Sequence, residues 1–598
     1  MTPLSLHHEP PIADYALIGD TRTAALISRD GSIDWMCCPI FDSEPIFGTL
    51  IGGPTAGTFR FGVDRPRALK RRYVEDTAVL ETDIDVAGGR GRLLEAMVVN
   101  VVSSPLPQTA LVRRLTCAQG TLAVRVYFDP KQGLPGKDPR VSRRAGAVVC
   151  EWGSLALTLQ SFPHVDITPG EEISIEVSAG SELVLVMGIN DGAPAIVVSH
   201  EQAAAMLEQT RRWWEAWSAG IDYAGPFRDA VVRSLITLQL LTFSPSGAPV
   251  AAPTTSLPEA VGGSRNWDYR FSWPRDASIG LAAFLGMGKP ELAHSFLYWL
   301  LHASRLSRPR LKVLYTLYGK PPPKERELTG VPGYGRSLPV RTGNEARTQH
   351  QLDVYGWVVD AAWLLTDAGH RLHGEHWRVI SGFADFVAKR WRDPDAGIWE
   401  VRGEPRHYVH SKLMAWLCLD RALRIGRRRG AGSRRTATWA EQRDLLKAAI
   451  MQRGFDSSLG SYVRAFGSHD LDAALLILPV LEFDDRPERV QGTVNAIREA
   501  LETDDGLVFR YLPGSDGIEE PEGAFLPCSF WLVQALARMG NPGEATELFE
   551  KLVARSNDVG LFSEEIDPSS GALLGNFPQA FTHATLVQAA MSITGKDR

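Results

Sequence analysis

The stretch HEQAAAMLEQTRRWWEAWSAG, residues 200–220, marks the point at which the hydrophobic pattern of the chain changes. Before it, apolar and polar residues alternate in short runs, which is typical of β-strands. Within and after it, apolar residues recur about every three or four positions, the period of amphipathic α-helices. The sequence therefore predicts a β-domain over residues 1–200, a helical linker over 201–225 and a helical domain over 226–598.

The first part of the chain carries short β-rich runs separated by turn residues. Regular spacing of such runs is typical of antiparallel β-sandwiches, and we predict that fold here. The dipeptide Asp30-Gly31 has the composition of a tight hairpin turn. The runs lie at 23–35, 57–63, 77–88, 91–101, 109–120, 121–130, 145–153, 155–162, 172–180 and 182–190.

Twelve helical segments are predicted in the second part, and short and long connections alternate between them. Six helix pairs joined in this way predict a closed toroid, an (α/α)6 barrel, whose long loops share one face. Loops on a rigid scaffold commonly carry the chemistry of an enzyme. The segments lie near 226–243, 274–287, 289–305, 347–368, 373–391, 408–426, 437–453, 469–480, 487–502, 526–540, 542–555 and 577–594, and the long connections are 244–273, 306–346, 392–407, 454–468, 503–525 and 556–576.

The charge pattern excludes two classes of partner. The net charge is −6 and no long run carries one sign, so we expect neither nucleic acid nor an anionic membrane surface as the main partner. The basic stretches RALKRR (67–72) and RRRGAGSRR (427–435) are short, and we interpret both as solvated surface or loop. No apolar run reaches the length of about 18 residues that a membrane span needs.

The N-terminal segment and the cysteines favour a cytoplasmic protein. MTPLSLHHEPPIADY has neither the basic region nor the apolar region of a signal peptide. The six cysteines show no CxxC spacing, and the adjacent Cys37 and Cys38 are poorly placed to pair with each other. We therefore expect reduced thiols and a cytoplasmic location.

Two glutamates in two of the long loops are the strongest candidates for catalysis. Glu400 lies in GIWEVRGEPRHYVHSK (397–412), and Glu564 lies in LFSEEIDPSSGALLGNFPQAF (561–581). One acid and one base are what hydrolysis of a glycosidic bond needs. The indole beside Glu400 should desolvate its carboxyl, raise its pKa and suit it to the acid role. Competition for protons between Glu564 and its neighbour Glu565 should leave one of the two ionised, as a base must be.

Each of these glutamates also has a plainer interpretation. An isolated glutamate such as Glu400 is more often a salt-bridge partner, and the Glu564 loop could be a solvated acidic turn. The aromatic surroundings and the loop position favour the catalytic interpretation of Glu400.

The first long loop ends in SRNWDYRFSWPRDA (264–277), where aromatic and charged residues alternate. Aromatic rings stack on the apolar faces of sugars, and charged groups bind their hydroxyls. A structural aromatic cluster with buried ion pairs is the alternative. We expect substrate contacts from this loop at Trp267, Tyr269, Trp273, Arg275 and Asp276.

Other long loops add candidate substrate contacts. Gln349 lies in RTGNEARTQHQLDVYGW (341–357), four residues before Asp353, so the two should share a helix face. Polar capping is the alternative there. We also expect substrate contacts from Trp399, Arg402 and Glu522.

Signals of a cofactor are absent from the sequence. No His/Cys cluster has zinc spacing, and no phosphate-binding glycine motif opens a helix after a strand. We therefore expect no metal and no nucleotide cofactor.

Taken together, these motifs resemble glycoside hydrolase family 15, the glucoamylase and trehalase family. The first part of the chain, with IADYALIGDTRTAALISRDGSIDWMCCP (12–39), resembles the β-sandwich that precedes the barrel in bacterial trehalase-like members. The motifs in the helical part are APTTSLPE (252–259), RNWDYRFSWPRD (265–276), GNEARTQHQLDVYG (343–356), GIWEVRGEPRHYVHSK (397–412), EGAFLPCSFWLV (522–533) and EEIDPSSGALLGNFPQAFTH (564–583).

The resemblance implies specific roles. Glu400 corresponds to the general acid of the family and Glu564 to its general base. Tyr269, Arg275 and Asp276 correspond to residues that hold the terminal glucose. Glu345 departs from the pattern, since related sequences often carry a small residue there, and this affects the choice of substrate more than the type of reaction.

The sequence thus predicts an exo-acting, inverting α-glucoside hydrolase that releases β-glucose from a small substrate. Trehalose is favoured, and malto- or isomalto-oligosaccharides are the alternative within the class. A disaccharide phosphorylase could share the architecture, but it requires no second catalytic carboxylate. A non-catalytic sugar-binding protein needs no opposed pair of acids. Oligomeric state is left open.

Overall fold

Strands dominate the chain up to Asp191 and helices dominate it from His200 onward. The computed structural model describes residues 9–63, 66–99, 109–431, 434–518 and 520–596. The last two residues of the run predicted at 91–101, and Glu519, lie outside the described residues.

The first part forms one continuous antiparallel sheet of 14 strands. The antiparallel arrangement expected from the spacing of the β-rich runs is confirmed. The strands are β1 Ala16–Gly19, β2 Ala24–Ile27, β3 Ser32–Cys37, β4 Pro45–Phe47, β5 Thr58–Val63, β6 Ala68–Tyr73, β7 Leu80–Val86, β8 Gly89–Met97, β9 Thr109–Asp129, β10 Arg140–Arg144, β11 Ala147–Trp152, β12 Leu155–Phe162, β13 Glu172–Ser178 and β14 Glu182–Asp191.

Strand β9 connects the two halves of this sheet. The sequence predicts two strands at 109–120 and 121–130, but the structure has one strand of 21 residues. Its first half pairs with β8 and β14, and its second half pairs with β5 and β13. The positive φ of Gly120, 67°, lies at the change of partners and lets the strand turn from one half to the other.

The basic stretch RALKRR agrees with the prediction only in part, since Arg67, Ala68 and Lys70 are exposed as expected of solvated surface. It is strand β6 rather than loop, and Arg71 within it is 6% exposed. The guanidinium of Arg71 donates to both carboxylate oxygens of Asp558, at 2.9 and 2.7 Å. This stretch therefore ties the β-region to the helical region instead of facing solvent alone.

The predicted helical segments are present in the described residues, with shifts at a few boundaries. Segment 347–368 begins as a helix only at Asp353, and segment 469–480 starts with a 3-10 helix, Ala473–Ile477. Gln349 therefore precedes the helix and does not share a helical face with Asp353. The helices are α1 Thr49–Gly52, α2 His200–Ala219, α3 Arg228–Leu240, α4 Pro274–Gly286, α5 Pro290–Ala303, α6 Asp353–Asp367, α7 Gly374–Arg390, α8 Val409–Arg428, α9 Arg434–Arg453, α10 Leu478–Leu481, α11 Pro487–Leu501, α12 Leu526–Arg538, α13 Pro542–Val553 and α14 Ala580–Thr594.

Six helical elements contact one another in a ring. Along the ring, α4 contacts α6, α6 contacts α8, α8 contacts the 473–481 element, that element contacts α12, α12 contacts α14, and α14 contacts α4. Helices such as α12 and α14 are buried almost all round, whereas α9 buries three residues. A helix that is apolar on every side belongs inside a protein, so these six elements form the inner layer.

Every inner helix begins directly after a long connection, so the long connections meet at one end of the ring. Short strands stiffen them: β15 Thr242–Phe243, β16 Ala248–Pro249, β17 Thr255–Pro258, β18 Asn266–Asp268, β19 Arg326–Leu328, β20 Val340–Thr342, β21 Phe455–Asp456, β22 Ser461–Tyr462, β23 Ala524–Phe525, β24 Glu565–Ile566 and β25 Leu573–Leu574. Among the described residues, no helix has the length and apolar character that crossing a membrane requires.

Candidate active site

A cavity of about 480 Å3 opens among the long connections at this end of the ring. Its volume is within the range of small-molecule sites. The structure brings to its wall every predicted site residue except Glu522: Trp267, Tyr269, Trp273, Arg275, Asp276, Gln349, Trp399, Glu400, Arg402 and Glu564.

Glu400 lies on a turn, and hydrogen bonds fix both its backbone and its carboxyl group. Its φ is +57°, a conformation that a residue with a side chain adopts at a cost in energy. The side-chain amide of Gln349 donates to the Glu400 carbonyl at 2.9 Å and fixes the turn. The indole N–H of Trp273 donates to Glu400 Oε1 at 2.7 Å, and a nitrogen of Arg275 lies 3.6 Å from the same oxygen.

The indole that contacts the Glu400 carboxyl is therefore that of Trp273, and not that of its neighbour in sequence. Trp399 turns the other way and donates its N–H to Asp472 Oδ1 at 2.8 Å. Burial raises the pKa of Glu400, and Arg275 and the Trp273 N–H oppose this shift. The direction of the shift agrees with the prediction, but its cause is burial as a whole, and the indole that binds the carboxyl lowers the pKa.

Glu564 lies deeper, with 1% of its surface exposed. Gly575, with φ +72°, packs against it: a Cβ atom at this glycine would lie 2.7 Å from Glu564 Oε2. That oxygen has no hydrogen-bond partner among the described protein atoms. Glu564 Oε2 therefore accepts no hydrogen bond from the described protein atoms, and the lack of a side chain at Gly575 leaves space for it.

The surroundings of Glu564 favour its protonated form. Burial, followed by the charge of Glu259, raises its pKa to about 8, and Arg510 and the Tyr269 hydroxyl oppose the rise. Its neighbour Glu565 is turned out of the cavity, accepts from the Gly523 N–H at 2.8 Å, and also has a raised pKa. The expectation that competition leaves one of the two ionised near neutral pH is thus opposed, because burial raises the pKa of both carboxyls.

One end of the cavity is closed by buried charged residues. Arg275 and Asp276 are 8% and 7% exposed, and Arg275 Nε donates to Asp276 Oδ1 at 2.6 Å. A second nitrogen of Arg275 donates to the Ile398 carbonyl at 2.7 Å, two residues before Glu400. Tyr269 packs edge-on against Trp273 with ring centroids 5.4 Å apart. This part of the wall therefore offers buried charged and aromatic side chains for contact with a ligand.

Glu522 lies behind the wall instead of on it. It accepts two hydrogen bonds from Arg510, at 3.0 and 2.6 Å, and lies 3.3 Å from Arg265. Arg510 and Arg265 both line the cavity. Glu522 can therefore act on a substrate through these two arginines, and its predicted direct contact has no support from its position.

Among the cavity residues that were not selected from the sequence are Glu259 and Arg510, which are charged and bind each other. Glu259 is 1% exposed, accepts from the Trp267 N–H at 3.0 Å and binds Arg510 at 2.8 Å. It ends APTTSLPE, a motif that was recognised without a role for its acid. Arg510 carried no local signal, because two of its three carboxylate partners, Glu259 and Glu565, come from other long connections.

Glu259, Glu522 and Glu565 form a group whose oxygens lie within 4.8 Å of one another, a spacing that a metal ion could use. Arg510 contacts all three, at 2.8, 2.6 and 3.0 Å. A guanidinium thus supplies the positive charge at the centre of this group.

Comparisons with known proteins agree with this geometry. The family model described as glycosyl hydrolases family 15 matches residues 225–591, and one described as trehalase-like, N-terminal, matches residues 3–182. A curated trehalase from Mycobacterium tuberculosis is 35% identical, over 98% of this chain and 90% of its own length. One from Thermoplasma volcanium is 32% identical, over 97% of this chain and 93% of its own.

A solved structure extends the similarity to the fold. A bacterial glucoamylase complexed with acarbose superposes with a TM-score of 0.69 at 13% identity, over 98% of this chain and 94% of the other. The antiparallel sheet followed by a helical domain is thus an arrangement that the two proteins share. With its helical part matched by the family model and whole-length relatives above 30% identity, this chain belongs to glycoside hydrolase family 15 and is an O-glycosyl hydrolase.

Proposed function

We propose that the chain hydrolyses trehalose to glucose as an exo-acting, inverting enzyme, with Glu400 as general acid and Glu564 as general base. The observation that carries this proposal is that the two carboxyl groups share the wall of one cavity whose far end is closed by Arg275 and Asp276. The relatives named trehalase, similar over nearly the whole chain, support trehalose as the substrate.

In the proposed reaction Glu400 gives its proton to the glycosidic oxygen as the bond to C1 breaks. The raised pKa of Glu400 supports its protonation before the reaction, and the nearby Arg275 favours the carboxylate that remains afterwards. Glu564 takes a proton from a water molecule that attacks C1 from the opposite face. The attacked ring is released as β-glucose, and the leaving ring of trehalose keeps its α configuration. Glu400 ends the step ionised and Glu564 protonated, and exchange with solvent restores both before the next turnover.

Arg275 and Asp276 are proposed to hold hydroxyls of the terminal glucose, with Tyr269 and Trp273 beside its ring. A ring enclosed at that end leaves its glycosidic bond facing Glu400 and Glu564. Internal bonds of a longer chain could not reach this position, so a malto-oligosaccharide, if accepted, should release glucose alone.

One experiment separates the proposed function from its alternatives. The protein is incubated with trehalose, maltose and isomaltose, with and without phosphate, and early products are followed by NMR. Trehalose should give equal amounts of α- and β-glucose at early times, independently of phosphate, because the attacked ring inverts to β while the leaving ring keeps its α configuration. Glucose 1-phosphate would indicate a phosphorylase, the absence of product a binding protein, and early product that is α-glucose alone a retaining mechanism. A preference for maltose would favour the glucoamylase-type alternative.

For the architecture, we infer a β-sandwich over residues 1–200, a helical linker over 201–225 and an (α/α)6 barrel over 226–598. Contact between β1 and β8, which pair with other strands and not with each other, supports the sandwich. The ring of contacts through the six inner elements supports closure of the barrel. A crystal structure with an open or incomplete ring would contradict this inference.

We also propose a cytoplasmic location. All six cysteines lie within the described residues, and each is buried and free. Reduced thiols are typical of that compartment. Alkylation of the denatured protein without reductant, followed by mass spectrometry, should modify every cysteine; a disulfide-linked pair would oppose this location.

A further inference from the structure

The carboxylate of Glu325, which does not line the cavity, contacts three groups beside it: the guanidinium groups of Arg402 and Arg341 and the backbone N–H of Glu345. Glu325 lies in the long connection between α5 and α6, and its side chain is 13% exposed. It accepts hydrogen bonds from both terminal nitrogens of Arg402, at 3.0 and 2.7 Å. It also accepts from the backbone N–H of Glu345 at 3.1 Å, and Arg341 Nε lies 3.5 Å away.

The other side of this arrangement is the ring of Trp267. The guanidinium carbons of Arg402 and Arg341 lie 4.3 and 4.6 Å from its centroid. The Trp267 N–H donates to Glu259, which fixes the ring in turn. Arg402 is thus held by a carboxylate at its two terminal nitrogens and by an aromatic ring beneath its plane.

Arg402 lies at the open end of the cavity. Its side chain is 43% exposed, against 10% for Arg275 at the closed end. Arg402 follows Glu400 by two residues in the chain, and in the proposed reaction Glu400 protonates the oxygen that joins the two sugars. A ring bound at the closed end therefore places the second ring, the leaving group, on the Arg402 side.

We propose that Glu325 is a positioning residue for the leaving sugar: it fixes Arg402 so that its remaining N–H groups meet hydroxyls of the second ring. This inference rests on the proposed function of the site. A two-point arginine–carboxylate pair sets both the direction and the plane of the guanidinium. Without it, Arg402 on its half-exposed chain would sample many orientations before each encounter with substrate.

The expected consequence is selective. Loss of Glu325 should weaken only interactions with the second ring and leave the chemistry at the first ring intact. Misplacement of a substrate-binding group by about an ångström can reduce rates by one to two orders of magnitude, so we expect about a tenfold loss in kcat/KM for a disaccharide.

The experiment compares two substrates that share the first ring. Trehalose has a second ring, whereas α-glucosyl fluoride has a fluoride leaving group and none. Glu325→Gln should lower kcat/KM for trehalose about tenfold and that for the fluoride by less than about twofold. Glu327→Gln is the matched control, because Glu327 is 66% exposed and lies 3.7 Å from Arg341 without contacting Arg402; it should change neither value.

A double-variant cycle tests the route through Arg402. Arg402→Ala should reproduce the selective loss, and adding Glu325→Gln to it should cause no further loss, since the two residues act as one unit. Equal losses for both substrates, unchanged kinetics in Glu325→Gln, or additive losses in the double variant would overturn the inference. Wild-type protein that hydrolyses the fluoride but not trehalose would overturn the proposed substrate instead, and the ratio would then be measured with the disaccharide that is hydrolysed.

Discussion

At the scale of single residues, both proposed catalytic acids occupy energetically unfavourable positions, Glu400 through its backbone and Glu564 through its buried carboxyl. Glu400 has a positive φ, and Glu564 is buried beside another acid, Glu259. Neither position is explained by stability, since each costs free energy in the folded state. Such local costs are common at functional sites, where the surrounding structure maintains them.

The first prediction follows from the raised pKa of Glu564. Between its ordinary value of 4.5 and about 8, the folded protein binds this proton more tightly than the unfolded chain does, so stability falls as pH rises through that window. Glu564→Gln removes the effect. Its midpoint of thermal unfolding should match the wild type near pH 4 and exceed it increasingly up to pH 8 or so.

The same variant should lose activity, because a positioned base contributes on the order of 10² or more to kcat. Denaturation scans across pH, together with kcat at neutral pH, check both parts. A variant that is less stable than the wild type at pH 8 would contradict the burial argument. A variant with near-normal kcat would remove Glu564 from the base role.

The second prediction concerns Glu259, the charge that ranks after burial in raising the Glu564 pKa. A base must be ionised, so kcat/KM should rise with pH as Glu564 loses its proton. Glu259→Gln removes the neighbouring negative charge and should shift this acid limb to lower pH, by up to about one unit. The pH profile of kcat/KM measures the shift.

Glu520→Gln is the control for this prediction. Glu520 is exposed and accepts from Ser264 at the rim of the site, at 2.7 and 2.8 Å. The acid limb should not move in that variant. A limb that shifts equally in both variants, or toward higher pH in Glu259→Gln, would contradict the role given to Glu259.

At the scale of elements, the sequence predicted what periodicity and loop length encode. The inner helices are apolar on all sides and follow long connections that end in polar residues, so their number and order could be predicted. The single strand β9 could not, because Gly120 and Thr121 give the signal of a turn, and only pairing with both halves of the sheet keeps the backbone extended.

For the candidate site, the sequence likewise predicted the residues that lie within recognisable motifs and missed those that depend on tertiary contacts. Residues inside aromatic or glycine-rich motifs, such as Glu400 and Tyr269, were selected. Arg510 and Glu325 were not, because their roles come from partners that are distant in sequence. A single sequence carries no local trace of such ion pairs.

The third prediction concerns the connection that carries Glu564. Gly575→Ala should reduce kcat at least tenfold, because its Cβ would displace Glu564 Oε2, 2.7 Å away. Gly571→Ala is a matched control in the same connection: its φ of 73° carries the same backbone cost, but its nearest neighbour is an Arg555 nitrogen at 3.9 Å. Both variants should lose stability through the backbone, Gly575→Ala the more because of its contact with Glu564, and Gly571→Ala should keep its activity. Equal kcat in the two variants would show that Gly575 does not shape the position of Glu564.

At the scale of the whole molecule, the β-region holds the long connections that form the site. The Trp35 N–H donates to the Pro253 carbonyl at 2.8 Å, and Arg270, next to Tyr269, donates to the Ser43 carbonyl at 2.9 Å. The side-chain amide of Asn557 donates to the Tyr15 carbonyl at 2.8 Å, seven residues before Glu564. Hydrogen bonds with the β-region therefore help to position two of the long connections that form the cavity.

The fourth prediction tests this coupling with two adjacent arginines. Arg71 binds Asp558 across the two regions and its side chain is 2% exposed, whereas Arg72 is 42% exposed and pairs with Glu81 and Asp83 inside the sheet. Arg71→Gln should lower the free energy of unfolding by about 1–3 kcal/mol, as expected for a buried hydrogen bond to a charged group. It should also lower kcat, because Asp558 begins the connection that holds Glu564.

Arg72→Gln should leave kcat unchanged, since an exposed ion pair within one sheet contributes little. Urea denaturation and steady-state kinetics of the two variants separate the outcomes. If Arg71→Gln lost stability but kept full kcat at a temperature where it is folded, the β-region would be a passive neighbour of the site. A fall in kcat confined to Arg71→Gln would instead mean that the base is positioned across the boundary between sheet and helices, so that the sheet, which contributes no proposed catalytic group, is still required for the reaction.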